Sequence, residues 1–139
     1  MNKINKEESI KLIVSIIKLI SDISRSNDVK IVFKHSSFSE EQSGDGLKLV
    51  IYRIIQEQLN NILKHAEASE VEIELKNEQV GVELIIKDNG KGFDTTKESL
   101  GIDVTNIISR AELYKGTANF ISQPGKGCSL IVRFPVETL

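Results

Sequence analysis

The chain has 139 residues, 40% of them hydrophobic and 27% charged, which is enough for one domain with one core and too apolar for a disordered tail. Eighteen basic against twenty acidic residues leave a net charge of -2, with no stretch that interleaves Lys and Arg with aromatics, so general nucleic-acid binding is not expected. The single cysteine, Cys128, and two distant histidines exclude an internal disulfide and a zinc cluster, and no apolar run approaches the roughly 20 residues that span a bilayer. The polar start, residues 1–8, does not resemble a signal peptide, and a cytoplasmic location without membrane contact by this segment is expected.

Apolar residues at 10, 12, 13, 14, 16, 17, 19, 20 and 23 predict a first helix over residues 10–23 with two apolar faces. One face suits a sheet. The other either packs under a loop or meets a neighbouring domain, with Ile10, Leu12, Ile16, Leu19 and Ile23 as the expected contact residues. Residues 1–28 are therefore set apart as an N-terminal helix, and 29–139 as the main domain. Residues 29–33 read as a first strand, and Gly44-Asp45-Gly46 opens a second helix over 47–66 with a core stripe at Ile51, Ile55, Leu59 and Ile62. Val71, Ile73 and Leu75 alternate with charged residues in a strand that pairs with 80–87 across a turn at Asn77-Glu78-Gln79. A polar segment, 94–101, leads to a helix over 104–114, stopped by Lys115-Gly116, and a last hairpin joins 117–122 to 128–134. This order predicts an α/β fold: a two-layer sandwich with helices on one face of a mixed, mostly antiparallel sheet.

Three features carry chemistry. Glu57, Asn61 and His65 recur every four residues and form a polar ridge on the second helix, with Lys64 beside it; alone, such a ridge is an ordinary solvated face. Asp88-Asn89-Gly90-Lys91-Gly92 ends a strand with a carboxylate that can accept from an exocyclic amine and two glycines that allow close backbone approach; alone, it is an ordinary turn. Pro124-Gly125-Lys126-Gly127-Cys128-Ser129 is equally compatible with a hairpin loop.

Their order and separation, with Gly101 between the second and third, resemble the ATP-binding domain of sensor histidine kinases, over about residues 29–135. The text from Arg53 to Ala66 is similar to the branch of that superfamily, shared with gyrase-type ATPases, that has Glu four residues before the magnesium Asn. The resemblance implies the fold just described in its Bergerat form, and ATP and Mg2+ as cofactors. Asn61 would ligate Mg2+, Lys64 would pair with the phosphates, His65 would lie by the ribose, and Glu57 would be the general base. Asp88 would take the adenine amino group, with Gly90 and Gly92 keeping the pocket open. Gly101 would belong to the lid and Gly125 and Gly127 to the last motif. Ser129 or Cys128 would support Asp88 where the family often has Thr.

Two departures stand out. The lid reads Gly101-Ile102-Asp103-Val104, with Asp103 where the family has a second glycine. That carboxylate either caps the helix or meets the phosphates, and both weaken phosphate binding. The only histidines are His35, followed by Ser36, and His65 on the ridge, so the phosphoacceptor histidine of the family is not in this chain. The expected function is a histidine protein kinase catalytic domain. It would act on a dimerisation and phosphoacceptor domain and, downstream, a response regulator, either as part of a longer sensor kinase or free-standing. The alternatives are a binding module without transfer activity and an anti-sigma-type serine kinase.

Overall fold

The computed structural model describes residues 11–95 and 101–135; Ile10, the polar start at 1–8 and residues 96–100 of the lid segment lie outside the described residues. In chain order the elements are α1 (Leu12–Ser26), β1 (Lys30–Lys34), a short 3-10 turn (Glu40–Gln42) and α2 (Asp45–Asn61), which runs on as a π-helical turn (Ile62–Ala66). They are followed by β2 (Glu70–Glu78), β3 (Gly81–Asp88), α3 (Ile102–Glu112), β4 (Thr117–Ser122) and β5 (Cys128–Pro135). The strands form one sheet in the order β1-β2-β3-β5-β4, with β1 parallel to β2 and the other pairs antiparallel.

Residues opposite one another in the register share a face, so the rows Ile73, Ile86, Leu130, Phe120 and Leu75, Leu84, Val132, Ala118 turn to the same side. The helices cover that side. Leu12 and Ile16 of α1, Ile51, Ile54 and Ile55 of α2, and Ile107 and Ala111 of α3 are fully buried against it in one core. The expected two-layer α/β sandwich is the observed one.

Several details differ from expectation. Leu12 and Ile16 are not a contact face for a neighbour: both are 0% exposed in the domain's own core, and Leu19 and Ile23 pack against it. The apolar residues that α1 leaves outside are Val14 and Ile17, 62% and 50% exposed. A non-local contact fixes this rotation. Lys11 makes no side-chain cap, and the N–H of Ile13 donates instead to Glu40 Oε1 at 3.1 Å, tying the start of α1 to the segment before α2. The first hairpin turns at residues 79–80, not 77–79, because Asn77 is held in β2: its N–H donates to the Ser37 carbonyl and its Oδ1 accepts the Ser39 N–H. α3 begins at Ile102, two residues earlier than its apolar pattern suggests.

Candidate functional site

The site is assembled where β3 ends, α2 ends and α3 begins. Asp88, the last residue of β3, lies opposite Val71 of β2 and Cys128 of β5 and therefore points to the helix-covered side. The chain after it is fastened by the Asn89 side chain and by its own backbone. Asn89 Oδ1 accepts the N–H groups of Ser69 and Glu70, both at 2.9 Å, and the Lys91 N–H donates to the Ala66 carbonyl at 2.8 Å, so the loop is drawn against the end of α2.

The glycines serve that approach more than they hold a space open. A Cβ at Gly90 would sit 2.3 Å from the Ala66 carbonyl oxygen, and one at Gly127, whose φ is +70°, would sit 2.2 Å from that of Asp88. Gly125, in the β4–β5 turn, donates its N–H to the Lys91 carbonyl, and Ser122 Oγ accepts the Phe93 N–H at 2.9 Å while donating to the Gly127 carbonyl at 2.7 Å. The last hairpin is thus bolted to the loop from behind.

Above this floor is a cavity of about 570 Å³, within the range that takes a small organic ligand. Of the residues singled out in the sequence, Asn61, His65, Asp88, Gly92, Gly101, Asp103 and Cys128 line it together. Glu57, Lys64, Gly90, Gly125, Gly127 and Ser129 do not. Ser129 is placed by strand alternation on the opposite face of the sheet, paired in register with Lys87, so Cys128 is the residue beside Asp88. Lys64 is exposed. The π-helical turn begins after Asn61, so Lys64 and His65 follow i to i+5 bonding and not the α-helical spacing on which the ridge is drawn. Gly101 is the residue before α3, with Asp103 and Val104 of the first helical turn also in the lining.

The sequence reading did not single out Gln58, Ile62, Lys91, Phe93 and Pro124 as lining residues. Lys91 and Phe93 flank Gly92, so the motif contained their signal. Gln58 sits in the buried stripe of α2, 1% exposed, where only the packing of α3 gives it meaning. Ile62, Phe93 and Val104 supply the apolar wall that a flat ring requires.

The electrostatics divide the residues further. Burial raises Asp88 above the usual carboxylate value, opposed by the Gly90 N–H, which donates to its Oδ1 at 2.8 Å and leaves the remaining lone pairs for a ligand. Cys128 is pushed up to about 12, first by burial and then by the charge of Asp88, against the opposing hydrogen bond with Ser122, so it is a neutral thiol. The Asn61 side chain makes no hydrogen bond to another described residue, which leaves a hard amide oxygen free for a cation such as Mg2+. Glu57 is engaged outside the cavity: its Oε1 lies 3.6 Å from Arg110 Nη2 on α3.

Residues 44–138 match the family described as Histidine kinase-, DNA gyrase B-, and HSP90-like ATPase, a span that includes every part of this site. The chain belongs to that family. Within it, the chain is similar to the ATP-binding catalytic domain of sensor histidine kinases. It is 28% identical over 132 residues to the signal transduction histidine-protein kinase/phosphatase DegS of Brevibacillus brevis, covering 94% of this chain and 34% of that protein. It is 31% identical over 114 residues to DegS of Bacillus subtilis, covering 78% of this chain and 30% of that protein. The chain thus spans about a third of these relatives. The solved ATP-binding domain of PrrB from Mycobacterium tuberculosis shares the fold, with a TM-score of 0.68 at 22% identity over 91% of this chain and 94% of that domain.

Proposed function

We propose that this ATPase-family domain binds Mg2+-ATP in the cavity between α2, β3 and α3 and transfers the γ-phosphoryl group to a histidine on a dimerisation domain, feeding a response regulator. One observation carries the reading: Asn61, His65, Asp88, Gly92 and Gly101, far apart in sequence and named from the family resemblance of the sequence alone, line a single cavity of about 570 Å³. Asp88 accepts the adenine amino group with the lone pairs that Gly90 leaves free, and Ile62, Phe93 and Val104 enclose the ring. Asn61 offers its side-chain oxygen to Mg2+, and His65 lies beside the ribose. When bound, Mg2+ neutralises phosphate charge, and the protein contributes mainly position and electrostatics. Glu57, one helical turn before Asn61 and outside the cavity, meets an acceptor that arrives from solvent and polarises the attacking imidazole.

The second reading is a nucleotide-binding module without transfer, and it draws support from the carboxylate of Asp103 at the phosphate end of α3. The two are separated by incubating the chain with γ-labelled ATP and a phosphoacceptor domain taken from a DegS-type relative. Acid-labile phosphate on that domain, lost with Glu57→Gln, is the expected result. ATP binding without any labelled acceptor would favour the second reading.

A further inference from the structure

The lining of the cavity has an unusual charge balance for a polyphosphate site. Its described residues include three carboxylates, Asp88, Asp94 and Asp103, against one ammonium, Lys91, and one imidazole, His65. Among the described residues, Arg110, on the same helix as Asp103, is directed to Glu57, and Lys64 is exposed outside the lining.

The three carboxylates are not equivalent. Asp88 is occupied by the Gly90 N–H, and Asp94 has a partner of its own. Asp103 makes no hydrogen bond or ion pair with any described residue, although it is in the first turn of an eleven-residue helix. Nor does it cap that helix. The residue at the cap position is Gly101, no side chain bonds the cap, and the helix amides remain available at the end that faces the cavity. Of the two uses open to this carboxylate, capping is therefore excluded among the described residues. What remains is a carboxylate in the cavity wall that makes no ion pair with any described residue.

We infer that Asp103 is a specificity-determining residue that acts by repulsion, weakening the cavity's affinity for a nucleoside triphosphate more than for the corresponding diphosphate. The inference rests on the reading of the cavity as an adenine-nucleotide site. The opening amides of α3 attract phosphate, and a carboxylate in the same turn opposes that attraction in proportion to the charge brought beneath it. A terminal phosphate adds such charge, and a divalent cation removes part of it, so the discrimination is greater without metal.

The test is a matched set of calorimetric titrations with ATP and ADP, in Mg2+ and in EDTA, for the parent chain, Asp103→Asn and Asp103→Glu. Asp103→Asn is expected to strengthen ATP binding ~10-fold or more and ADP by a smaller factor, with a larger gain in EDTA, while Asp103→Glu keeps the parental ratio. ADP binding also reports that the Asn variant is folded. An ATP-to-ADP affinity ratio unchanged by Asp103→Asn would overturn the inference and leave the adenine-nucleotide reading standing. Weaker ATP binding by Asp103→Asn in Mg2+ alone would also overturn it, by making the carboxylate a metal ligand. Failure of parent and variants alike to bind either nucleotide at millimolar concentration would instead overturn the reading of the cavity itself.

Discussion

The open face of the sheet and the cavity on its other side treat charge in opposite ways. On the open face, Lys34 lies 3.3 Å from Glu72, Arg133 lies 2.8 Å from Glu83, and Lys76 lies 3.4 Å from both Glu78 and Glu83. The hydrogen bond to Glu83, ahead of that to Glu78, holds Lys76 above the ordinary lysine value. In the cavity, Asn61 and Asp103 have no partner among the described residues, and Asp88 has only a backbone N–H. The charged side chains of the open face are paired with one another, whereas Asn61 and Asp103 in the cavity wall are open to a ligand. α1 repeats the contrast in apolar terms, with Leu12 and Ile16 completed by the core and Val14 and Ile17 left outside.

Substitutions that cross this division have graded effects. The largest expected is Leu12→Glu, which forces a charge into a site with 0% exposure and costs about 4 kcal/mol or more in chemical denaturation. The paired change Val14→Glu with Ile17→Glu is expected to stay within about 0.5 kcal/mol of the parent. Similar losses in both variants would erase the distinction between the two faces of α1.

Next is Asp88→Asn, expected to weaken adenine nucleotides by about 1 to 3 kcal/mol and guanine nucleotides much less, as read by competition binding. The same change should not lower the melting temperature. Burial raises the folded-state value of Asp88, so ionisation costs the fold stability, and that cost is absent below the unfolded value and grows as pH rises through the folded one. Asp88→Asn removes the cost, and its advantage over the parent should shrink on acidification. Equal losses for both bases, or a large fall in stability, would make Asp88 a structural residue.

The smallest effect belongs to the self-completed face. Glu83→Gln weakens contacts to Lys76 and Arg133, which are 30% and 57% exposed, and is expected to cost about 1 kcal/mol of stability while leaving nucleotide affinity unchanged. A changed affinity would mean that the two faces of the sheet are coupled.

The parts legible in the sequence were those written in local periods. The stripe Ile51, Ile55, Leu59 needs only helical spacing, and Val71, Ile73, Leu75 only alternation, to turn toward the core where they are found. Asp88 was legible because strand parity and the glycines after it are both local. The contacts between segments were not. Glu40 accepts the Ile13 N–H at the start of α1 from 27 residues away, a contact that no local pattern announces. The π-helical turn after Asn61, which contains Lys64, is a backbone bonding choice with no residue signature. Gly90 and Gly127 were recognisable as special, but their reason, backbone against Ala66 and Asp88, exists only once the segments meet. Arg110 carried no motif until α3 lay beside Glu57.

The central claim is that the incomplete polar groups of the cavity are completed by a magnesium-bound adenine nucleotide. Calorimetric titration of the parent chain and of Asn61→Ala with ATP, each with and without Mg2+, tests it most directly. The parent should bind ATP more tightly with Mg2+ than without, and Asn61→Ala should keep the parent's melting temperature while losing that magnesium-dependent gain. Equal ATP affinity in the two proteins with Mg2+ present, or no heat from the parent at millimolar ATP, would contradict it.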